Sequence, residues 1–206
     1  MHTLIVTAHP HPDALTHTVA RHIAEGITST AAGATVELAD LSAEGFDPRF
    51  NQDDMQGHQR LAPFPADVLA EQARLDRATA LVLVFPVYWW SMPALMKGWI
   101  DRVFSNGWAY DDSSGQGVLK KLGHLSIHLV SLGGADERTW QKRGYTDAMK
   151  TQIETGIFDY CGAPVLSSTL LLETDSGDVQ AHLQTAFALG EHMATASMDA
   201  NASHIS

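Results

Sequence analysis

Short apolar runs of strand length alternate with helix-length segments along almost the whole chain, and this alternation constrains the fold more than any other feature. The clearest run, Leu81 to Phe85, is continuously apolar and ends at Pro86, as is typical of a strand buried on both faces. Between the runs lie segments with apolar residues at helical spacing, such as Asp13 to Thr30. Strands that alternate with helices pair in parallel, so the pattern predicts a parallel sheet with helices on both faces.

The same reading along the chain predicts the individual elements. The strands are Leu4 to Thr7, Thr35 to Ala39, Ala80 to Phe85, His124 to Ser131 and Val165 to Leu172. The helices are Asp13 to Thr30, Asp67 to Arg77, Pro93 to Phe104, Gly144 to Asp159 and Asp178 to Ala194. Right-handed crossovers leave few topologies for five such strands, and they favour a flavodoxin-like, doubly wound α/β fold with strand order 2-1-3-4-5.

Length and charge narrow the functional classes. A chain of 206 residues with no linker is expected to form a single domain, here 1–196, followed by a mobile tail, 197–206. Its 13 basic and 24 acidic residues give a net charge of -11, which argues against binding to nucleic acid or anionic membranes. Neither a signal peptide nor a membrane-inserting segment is visible at the N-terminus, and Cys161 is the single cysteine. These features predict a cytoplasmic protein.

Three loops follow the carboxyl ends of the predicted strands nearest the centre of the sheet. They are His9 to Thr16, Pro86 to Met92 and Ser131 to Asp136. In open parallel sheets, ligands bind beyond these ends, at the point where the strand order reverses. The topology therefore predicts that the three loops form one ligand site.

The second loop contains the adjacent aromatic residues Tyr88, Trp89 and Trp90. Three such side chains cannot all enter one core, so at least one is expected to face a cleft, a ligand or a partner chain. The alternative is an ordinary packed loop. In the third loop, Gly133 and Gly134 permit a close approach of the backbone to a ligand, although a simple turn would also use them.

The first loop opens a helix, and its unpaired amides and the positive end of the helix dipole can bind a phosphate. It lacks the GxGxxG fingerprint and the Walker lysine, which argues against a Rossmann dinucleotide site or a nucleotidase. An alternative is a zinc-dependent deacetylase or hydrolase, because His9, His11 and Asp13 have a spacing that can ligate a metal. The sequence shows no third ligand and no base for such a site, so no metal is predicted.

The order of residues around the aromatic loop resembles that of the flavodoxin-like NAD(P)H:quinone oxidoreductase family, which includes DT-diaphorase. The resemblance rests on Pro86, Tyr88, Trp89, Pro93, Lys97, Gly98, Trp99, Arg102, Val103 and Phe104. It extends to Ala8-His9-Pro10, Gly133-Gly134, Gly156-Ile157 and Cys161-Gly162. The similarity therefore covers nearly the whole chain.

The resemblance implies a flavin cofactor, FAD or alternatively FMN. The implied contacts are His9, His11, Leu15 and Thr16 at the phosphates, Pro86, Val87, Tyr88, Trp89 and Trp90 along the ring, and Ser131, Leu132, Gly133 and Gly134 at its pyrimidine side. Leu15 and Thr16 replace the Phe-Asn pair that is usual in the family. FAD is favoured because Phe46 to Gln59 could cover an adenosine, with Phe50 and Asn51 near the corresponding position.

The implied reaction is a two-electron, ping-pong transfer from NAD(P)H through the flavin to a quinone or another flat acceptor, in a homodimer. Some family members place a histidine after the glycine pair, and this chain has none between Ala135 and Tyr160. Arg143, Trp140 and Tyr145 are the nearby candidates for stabilising the reduced flavin. Arg143 and Tyr145 are taken as the catalytic residues, with Arg143 suited to stabilising an anionic reduced flavin. A non-catalytic alternative is a flavin-binding regulatory subunit of a membrane transporter, a class that the family also includes.

Overall fold

A computed structural model describes residues 1–172 and 179–203, with side chains as far as Asp199. The strands are β1 (His2–Thr7), β2 (Thr35–Asp40), β3 (Ala80–Pro86), β4 (Tyr110–Asp111), β5 (Leu119–Lys120), β6 (Ser126–Gly133) and β7 (Val165–Leu172). The helices are α1 (Leu15–Thr30), α2 (Gln52–His58), α3 (Ala66–Arg77), α4 (Ala94–Val103), α5 (Glu137–Arg143), α6 (Tyr145–Met149), a π-helix (Lys150–Asp159) and α7 (Val179–Ser203). Over these residues the main sheet is parallel, with the order β2-β1-β3-β6-β7. This is the predicted flavodoxin-like order, and the predicted fold class is confirmed.

The central strand β3 shows why the sheet has helices on both faces. Side chains alternate along a strand, so Leu81, Leu83 and Phe85 belong to one buried cluster, while Val82 and Val84 belong to another. The first cluster includes residues of α3, α4 and the π-helix, and the second includes residues of α1 and α7. A strand that packs against helices on both sides must be apolar at every position, which explains the continuous run in the sequence.

Helices α1 and α7 cross at two glycines. A Cβ atom added at Gly26 would clash with the carbonyl oxygen of Phe187, and one added at Gly190 would clash with that of Ile23. The two backbones therefore touch directly, which fixes the position of α1 on the sheet. Because the loop that precedes α1 is part of the predicted ligand site, this crossing also helps to position that loop.

A buried arginine holds the irregular segment between β2 and α3 against α4. The Arg102 Nε atom donates a hydrogen bond to Asp54 Oδ2 over 2.9 Å, and Nη1 donates to Asp67 Oδ2 over 2.6 Å. The Arg102 and Asp54 side chains are 3% and 0% exposed, so each neutralises a charge that would be costly to bury alone. The segment contains α2, where the sequence shows only a weak helical pattern.

Several predicted boundaries differ from the structure. The β6 strand begins at Ser126 and ends at Gly133, so Ser131 and Gly133 are strand residues. A single α-helix was expected over 144–159, but Gly144 adopts a left-handed conformation with φ 69° and the chain continues as α6 and the π-helix. Both α5 and the β4-β5 hairpin are additional elements. Asp136 caps the first turn of α5 by accepting a hydrogen bond from Thr139 N.

The last helix is longer than predicted. It extends to Ser203 rather than ending at Ala194, so residues 197–203 of the expected tail are helical. The predicted helix start, Asp178, and residues 204–206 lie outside the described residues, and the mobility of the tail stays a prediction. Among the helices of the described part of the chain, none combines the length and the apolarity needed to span a bilayer.

His128 of β6 provides a test of burial through pH. It is 5% exposed, its Nδ1 lies 2.7 Å from Ser167 Oγ, and burial, assisted by the charge of His192, lowers its pKa from 6.5 to about 4. Below pH 6.5 the unfolded chain therefore binds a proton that the folded chain does not bind until about pH 4.

As the pH falls from 6.5 to about 4, we expect the proton bound by His128 in the unfolded chain to lower the free energy of unfolding by up to about 3 kcal/mol. The substitution His128→Asn removes the ionisable group, so between these pH values the free energy of unfolding of the variant should fall by about 3 kcal/mol less than that of the wild type. Urea unfolding at a series of pH values measures the difference. His22→Asn is the control on an accessible histidine, and parallel profiles for wild type and His128→Asn would contradict the prediction.

Candidate functional site

The sheet brings the second and third predicted loops together at its carboxyl edge. Strands β3 and β6 pair in register up to Pro86 and Leu132, and Val87 N then donates a hydrogen bond to Leu132 O over 2.8 Å. Because β1 pairs with β3 on the other side, the loop that follows β1 lies at the same edge. The reversal of strand order falls between β1 and β3, where the topology predicts the ligand site.

The aromatic loop is a tight turn with a strained backbone. Tyr88 N donates to Ser91 O over 3.0 Å and Ser91 N donates to Tyr88 O over 3.2 Å, which closes the turn around the two tryptophans. Trp89 has φ 51° and Trp90 has φ 62°, both in the left-handed region. Glycine and asparagine are the usual residues in such turns, and a bulky side chain there costs about 1 to 2 kcal/mol. Strain of this kind clusters at functional sites.

The turn presents its two tryptophans differently. Trp90 stacks on Tyr145 with 3.6 Å between ring centroids and 10° between planes, and it meets the edge of Trp140 at 5.1 Å. Trp89 is 93% exposed. The Ser91 hydroxyl donates a hydrogen bond to Gln152 Oε1 over 2.6 Å, which ties the turn to the π-helix. The predicted catalytic residue Tyr145 is thus in contact with the aromatic loop, whereas Arg143 lies at the exposed end of α5.

A cavity of about 150 Å³ lies between the second and third loops. Its lining consists of Val87, Trp89, Trp90, Gly133, Gly134, Ala135 and Trp140. A Cβ atom at Gly133 would lie 3.0 Å from Leu172 Cδ2 and 3.3 Å from Trp140, so the lack of a side chain there lets the walls approach each other. The lining is mainly aromatic rings and backbone, which suits a planar ligand.

Trp140 connects this cavity with a larger one of about 610 Å³, which is also lined by Gln141, Gly144 and Thr146. Its ring is 2% exposed, yet over residues 1–172 and 179–199 its buried Nε1 atom has no hydrogen-bond partner. A buried donor without an acceptor is costly, and such a donor is satisfied when a bound ligand supplies the acceptor. The sequence indicates Trp140 as a nearby candidate beside Arg143 and Tyr145, but it does not predict the burial of its ring within α5.

The first loop leaves the start of α1 without a side-chain cap. Ala14 at the N-cap position contributes no side-chain hydrogen bond, and the first turn contains no acidic residue. The His9 and His11 Nδ1 atoms accept hydrogen bonds from the amides of His11 and Asp13, so both rings help to fold the loop. An uncapped helix start with an ordered loop is a suitable site for an anion.

The two predicted phosphate contacts on α1 are less accessible than expected. Leu15 packs partly against the second core cluster, and Thr16 is only 2% exposed. The sequence reasoning missed His17, which is 7% exposed and places Nδ1 3.3 Å from Thr7 Oγ1 and 3.7 Å from Asp40 Oδ2. Its buried Nε2 atom finds no hydrogen-bond partner in the part of the chain that the structure describes. Neither the spacing nor the residue type of His17 distinguishes it from an ordinary core histidine.

Other predicted residues lie elsewhere. Ser131 is 6% exposed within β6 and donates a hydrogen bond to Thr169 O. Asn51 caps α2 by accepting hydrogen bonds from Asp53 N and Asp54 N, and Phe50 lines a separate groove of about 290 Å³. Over residues 1–172 and 179–199, no group of three or more His, Cys, Asp or Glu side chains could hold a metal ion. The arrangement of His9, His11 and Asp13 therefore gives no support to the zinc hydrolase alternative.

The strained turn leads to a prediction on stability. Trp89→Asn places a residue that tolerates φ > 0 at a position where the native ring is almost fully exposed, so the free energy of unfolding should rise by about 1 kcal/mol. Trp90→Asn relieves similar strain but removes the contacts with Tyr145 and Trp140, so it should destabilise the protein. Urea unfolding compares the two variants. Equal destabilisation by both would show that the turn is not strained at Trp89.

Comparison with known proteins agrees with this geometry. A family described as having a flavodoxin-like fold matches residues 1–191. The chain is 28% identical to the mouse ribosyldihydronicotinamide dehydrogenase [quinone] over 193 residues, covering 84% of this chain and 81% of the relative. It is 30% identical to an uncharacterized NAD(P)H oxidoreductase of Escherichia coli K12 over 173 residues, covering 82% of this chain and 83% of the relative.

The similarity extends to a solved structure. The NAD(P)H:quinone oxidoreductase from Methanothermobacter marburgensis superposes with a TM-score of 0.81 at 25% identity, covering 94% of this chain and 98% of the other. The resemblance predicted from the aromatic loop is confirmed by these comparisons. On the strength of the match over residues 1–191, the chain belongs to the flavodoxin-like family.

Proposed function

We propose that this protein is a flavin-dependent NAD(P)H:quinone oxidoreductase. The observation that carries the proposal is the flat cavity between the aromatic turn and the Gly133-Gly134 segment, at the carboxyl edge of the sheet. In flavodoxin-like folds, flavin binds at the switch point between the first and third strands. The names of the mouse, E. coli and archaeal relatives support the same activity.

The residues at this edge fit a flavin. The uncapped start of α1 and the His9 to Asp13 loop would bind the phosphates, while His17 Nε2 and Trp140 Nε1 are buried polar atoms that still need partners. Amides of the turn from Val87 to Trp90 would bond to the polar edge of the ring, and Gly133 and Gly134 would let the backbone approach its pyrimidine side. The other phosphate contacts that we propose are His11, Leu15 and Thr16.

A bound flavin would supply the two-electron chemistry, accepting electrons from NAD(P)H and passing them to a quinone or another flat acceptor. The protein's part is to bind, orient and exclude water. Trp89 and Trp90 would bound the face on which donor and acceptor stack in turn, which is the basis for proposing a ping-pong order. Arg143 would stabilise negative charge on the reduced ring, and Tyr145 would hold Trp90 in place.

Two further features are proposed from the family resemblance. FAD is preferred over FMN, although Asn51 is occupied as a helix cap and Phe50 lies in a different groove of the same chain. A homodimer is proposed as well. It is supported by Phe50, Met55 and Tyr160, which are each 43% exposed and border the same groove, because a second copy would cover apolar residues of this kind.

Cofactor release and turnover test the proposal. We expect the purified protein to bind FAD or FMN, to release it intact on denaturation, and to oxidise NAD(P)H with a quinone as acceptor. Chromatography of the released cofactor identifies the flavin, and steady-state kinetics with both substrates varied tests the ping-pong order through parallel reciprocal plots. Tight flavin binding without turnover would instead favour the transporter-subunit alternative. A protein that binds neither flavin contradicts the proposal.

The role of Arg143 has its own test. If Arg143 stabilises the reduced ring as proposed, Arg143→Gln removes that positive charge, so the two-electron reduction potential of the bound flavin should fall by roughly 20 to 40 mV. Arg143→Lys keeps the charge and should restore most of the wild-type potential. Potentiometric titration of the flavin-loaded protein measures the shift, with the distant Arg77→Gln as the charge-matched control. An unchanged potential in Arg143→Gln would rule out this role.

A further inference from the structure

A further cavity, of about 330 Å³, lies at the amino edge of the sheet. Its walls come from the first residues of β3, β6 and β7 and from the carboxyl-terminal half of α7. We call it the histidine cavity, because His124, His128 and His192 line it. Since the strands are parallel, this edge is opposite the one that carries the aromatic turn and the glycine pair. The histidine cavity is therefore separate from the proposed flavin site, and the proposed function makes no use of it.

His128 of β6 occupies a position where the strand is otherwise apolar. Side chains alternate along a strand, so His128 shares a face with Val130 and Leu132, which belong to the second core cluster. The ring is 5% exposed, and its Nδ1 atom lies 2.7 Å from Ser167 Oγ, the hydrogen-bond partner that it has among the described residues. A buried polar ring costs more than an apolar side chain unless its polar atoms are used. The Nε2 atom is available for that use by a ligand.

A β-bulge places a hydroxyl group opposite this ring. Ile127 pairs with Val165 and His128 pairs with Ser167, so Leu166 is one extra residue in β7. In a regular ladder Leu166 would lie opposite His128, whereas here it lies at the wall of the cavity and is 60% exposed. Within the described part of the main sheet, this is the strand pair that shows a register shift. Bulges re-aim side chains and are over-represented next to functional sites.

The polar part of the lining consists of imidazole and hydroxyl groups. His124 and His192 join His128, and the hydroxyls include those of Ser126 and Ser197. Although the chain has 24 acidic residues, none of the described residues that line the cavity is Asp, Glu, Lys or Arg. Burial, and to a smaller extent the charge of His192, lowers the pKa of His128, and no carboxylate of the lining offsets that repulsion. An anion bound among the imidazoles would offset it.

The rest of the lining is aliphatic. Ala80, Leu166, Met193 and Ala196 contribute to it, and the described lining contains no Phe, Tyr or Trp. An aliphatic chain suits such walls better than a flat aromatic ring, which would find no ring to stack on. The volume of about 330 Å³ falls within the range of roughly 300 to 1,000 Å³ that is usual for small-molecule sites.

We propose that the histidine cavity is a second ligand site, which binds a small aliphatic carboxylate. Ser167 donates to His128 Nδ1, so that Nε2 carries the proton and donates to one carboxylate oxygen, while the other oxygen accepts from His192 or a serine hydroxyl. The aliphatic chain packs against Leu166 and Met193. A phosphate or sulfate would require fixed cations such as arginine or lysine, which the described lining lacks. This inference is independent of the proposed oxidoreductase function.

Calorimetric titration of the full chain with octanoate tests the proposal. Octan-1-ol and octylamine are probes of the same length that lack the negative charge. We expect octanoate to bind at least roughly tenfold more tightly than either, because it alone accepts charge-assisted hydrogen bonds from the imidazoles. His192→Gln removes an exposed imidazole of the lining and should weaken octanoate binding roughly tenfold. The control His22→Gln changes a histidine that lines a different groove and should keep the wild-type affinity.

Two further measurements locate the bound octanoate. Ala196→Phe introduces a large ring at an exposed position of α7 that lines the cavity, so it should fill the space and abolish octanoate binding without disturbing the core. In nuclear magnetic resonance spectra, the imidazole signals of His128, assigned by their loss in His128→Asn, should shift as octanoate is added. The signals of His22 should stay in place.

Three outcomes overturn the proposal. The first is that octanoate does not bind to the wild-type protein. The second is that octan-1-ol binds as tightly as octanoate, which would indicate an apolar groove without carboxylate recognition. The third is that His192→Gln and Ala196→Phe both leave octanoate binding unchanged, which would place the ligand elsewhere. None of these measurements depends on flavin binding or turnover, so a protein that fails the test of the oxidoreductase proposal can still pass this one.

Discussion

The parallel pairing of β1, β3 and β6 is the constraint on which the rest of this structure depends. It aligns the carboxyl ends of three strands at one edge, and the hydrogen bond from Val87 N to Leu132 O extends the pairing one step into the loops. Segments far apart in sequence are thereby held as one surface. The packing that supports this edge is equally rigid, because β3 is buried on both faces and the contact between Gly26 and Gly190 leaves α1 no freedom to shift.

The site at this edge departs from local preferences in several ways. Two tryptophans occupy left-handed positions that glycine or asparagine would take, the start of α1 has no side-chain cap, and two buried ring nitrogens, in His17 and Trp140, lack partners. Each feature is unfavourable for stability, and all lie on the loops or first turns that follow β1, β3 and β6. Proteins that fold consistently elsewhere tend to keep such exceptions where a ligand binds. Arg60 also has a positive φ, and α3 and α4 also begin without a side-chain cap, so these features point to a site here because they lie at the switch point of the sheet.

The basic side chains differ in whether a carboxylate of the protein neutralises them. Arg102 of α4 pairs with Asp54 of α2 and Asp67 of α3, whereas Arg74 of α3 pairs with Glu37 of β2, with Glu44 in the turn that follows β2 and with Glu71 of its own helix. Both charges are therefore neutralised within the protein. Among residues 1–172 and 179–199, the cations of α5, Arg138, Lys142 and Arg143, form no ion pair.

The sequence by itself determined the fold class and the location of the site. The continuous apolar run of β3 can be satisfied only between two layers of helices, and strand order then fixes which loops meet. It also indicated that Tyr88, Trp89 and Trp90 could not all enter one core, so that at least one of them would face a cleft, a ligand or a partner chain. The sequence did not predict two less regular elements. Helix α5 has only seven residues, too few to give a periodic signal, and the extension of α7 beyond Ala194 carries no distinct pattern. Only the tertiary structure decided that Trp90 stacks on Tyr145 and that His17 Nε2 and Trp140 Nε1 are left without partners among the described residues. These are contacts between side chains distant in sequence, and their geometry depends on how whole elements pack rather than on the residues of any one segment.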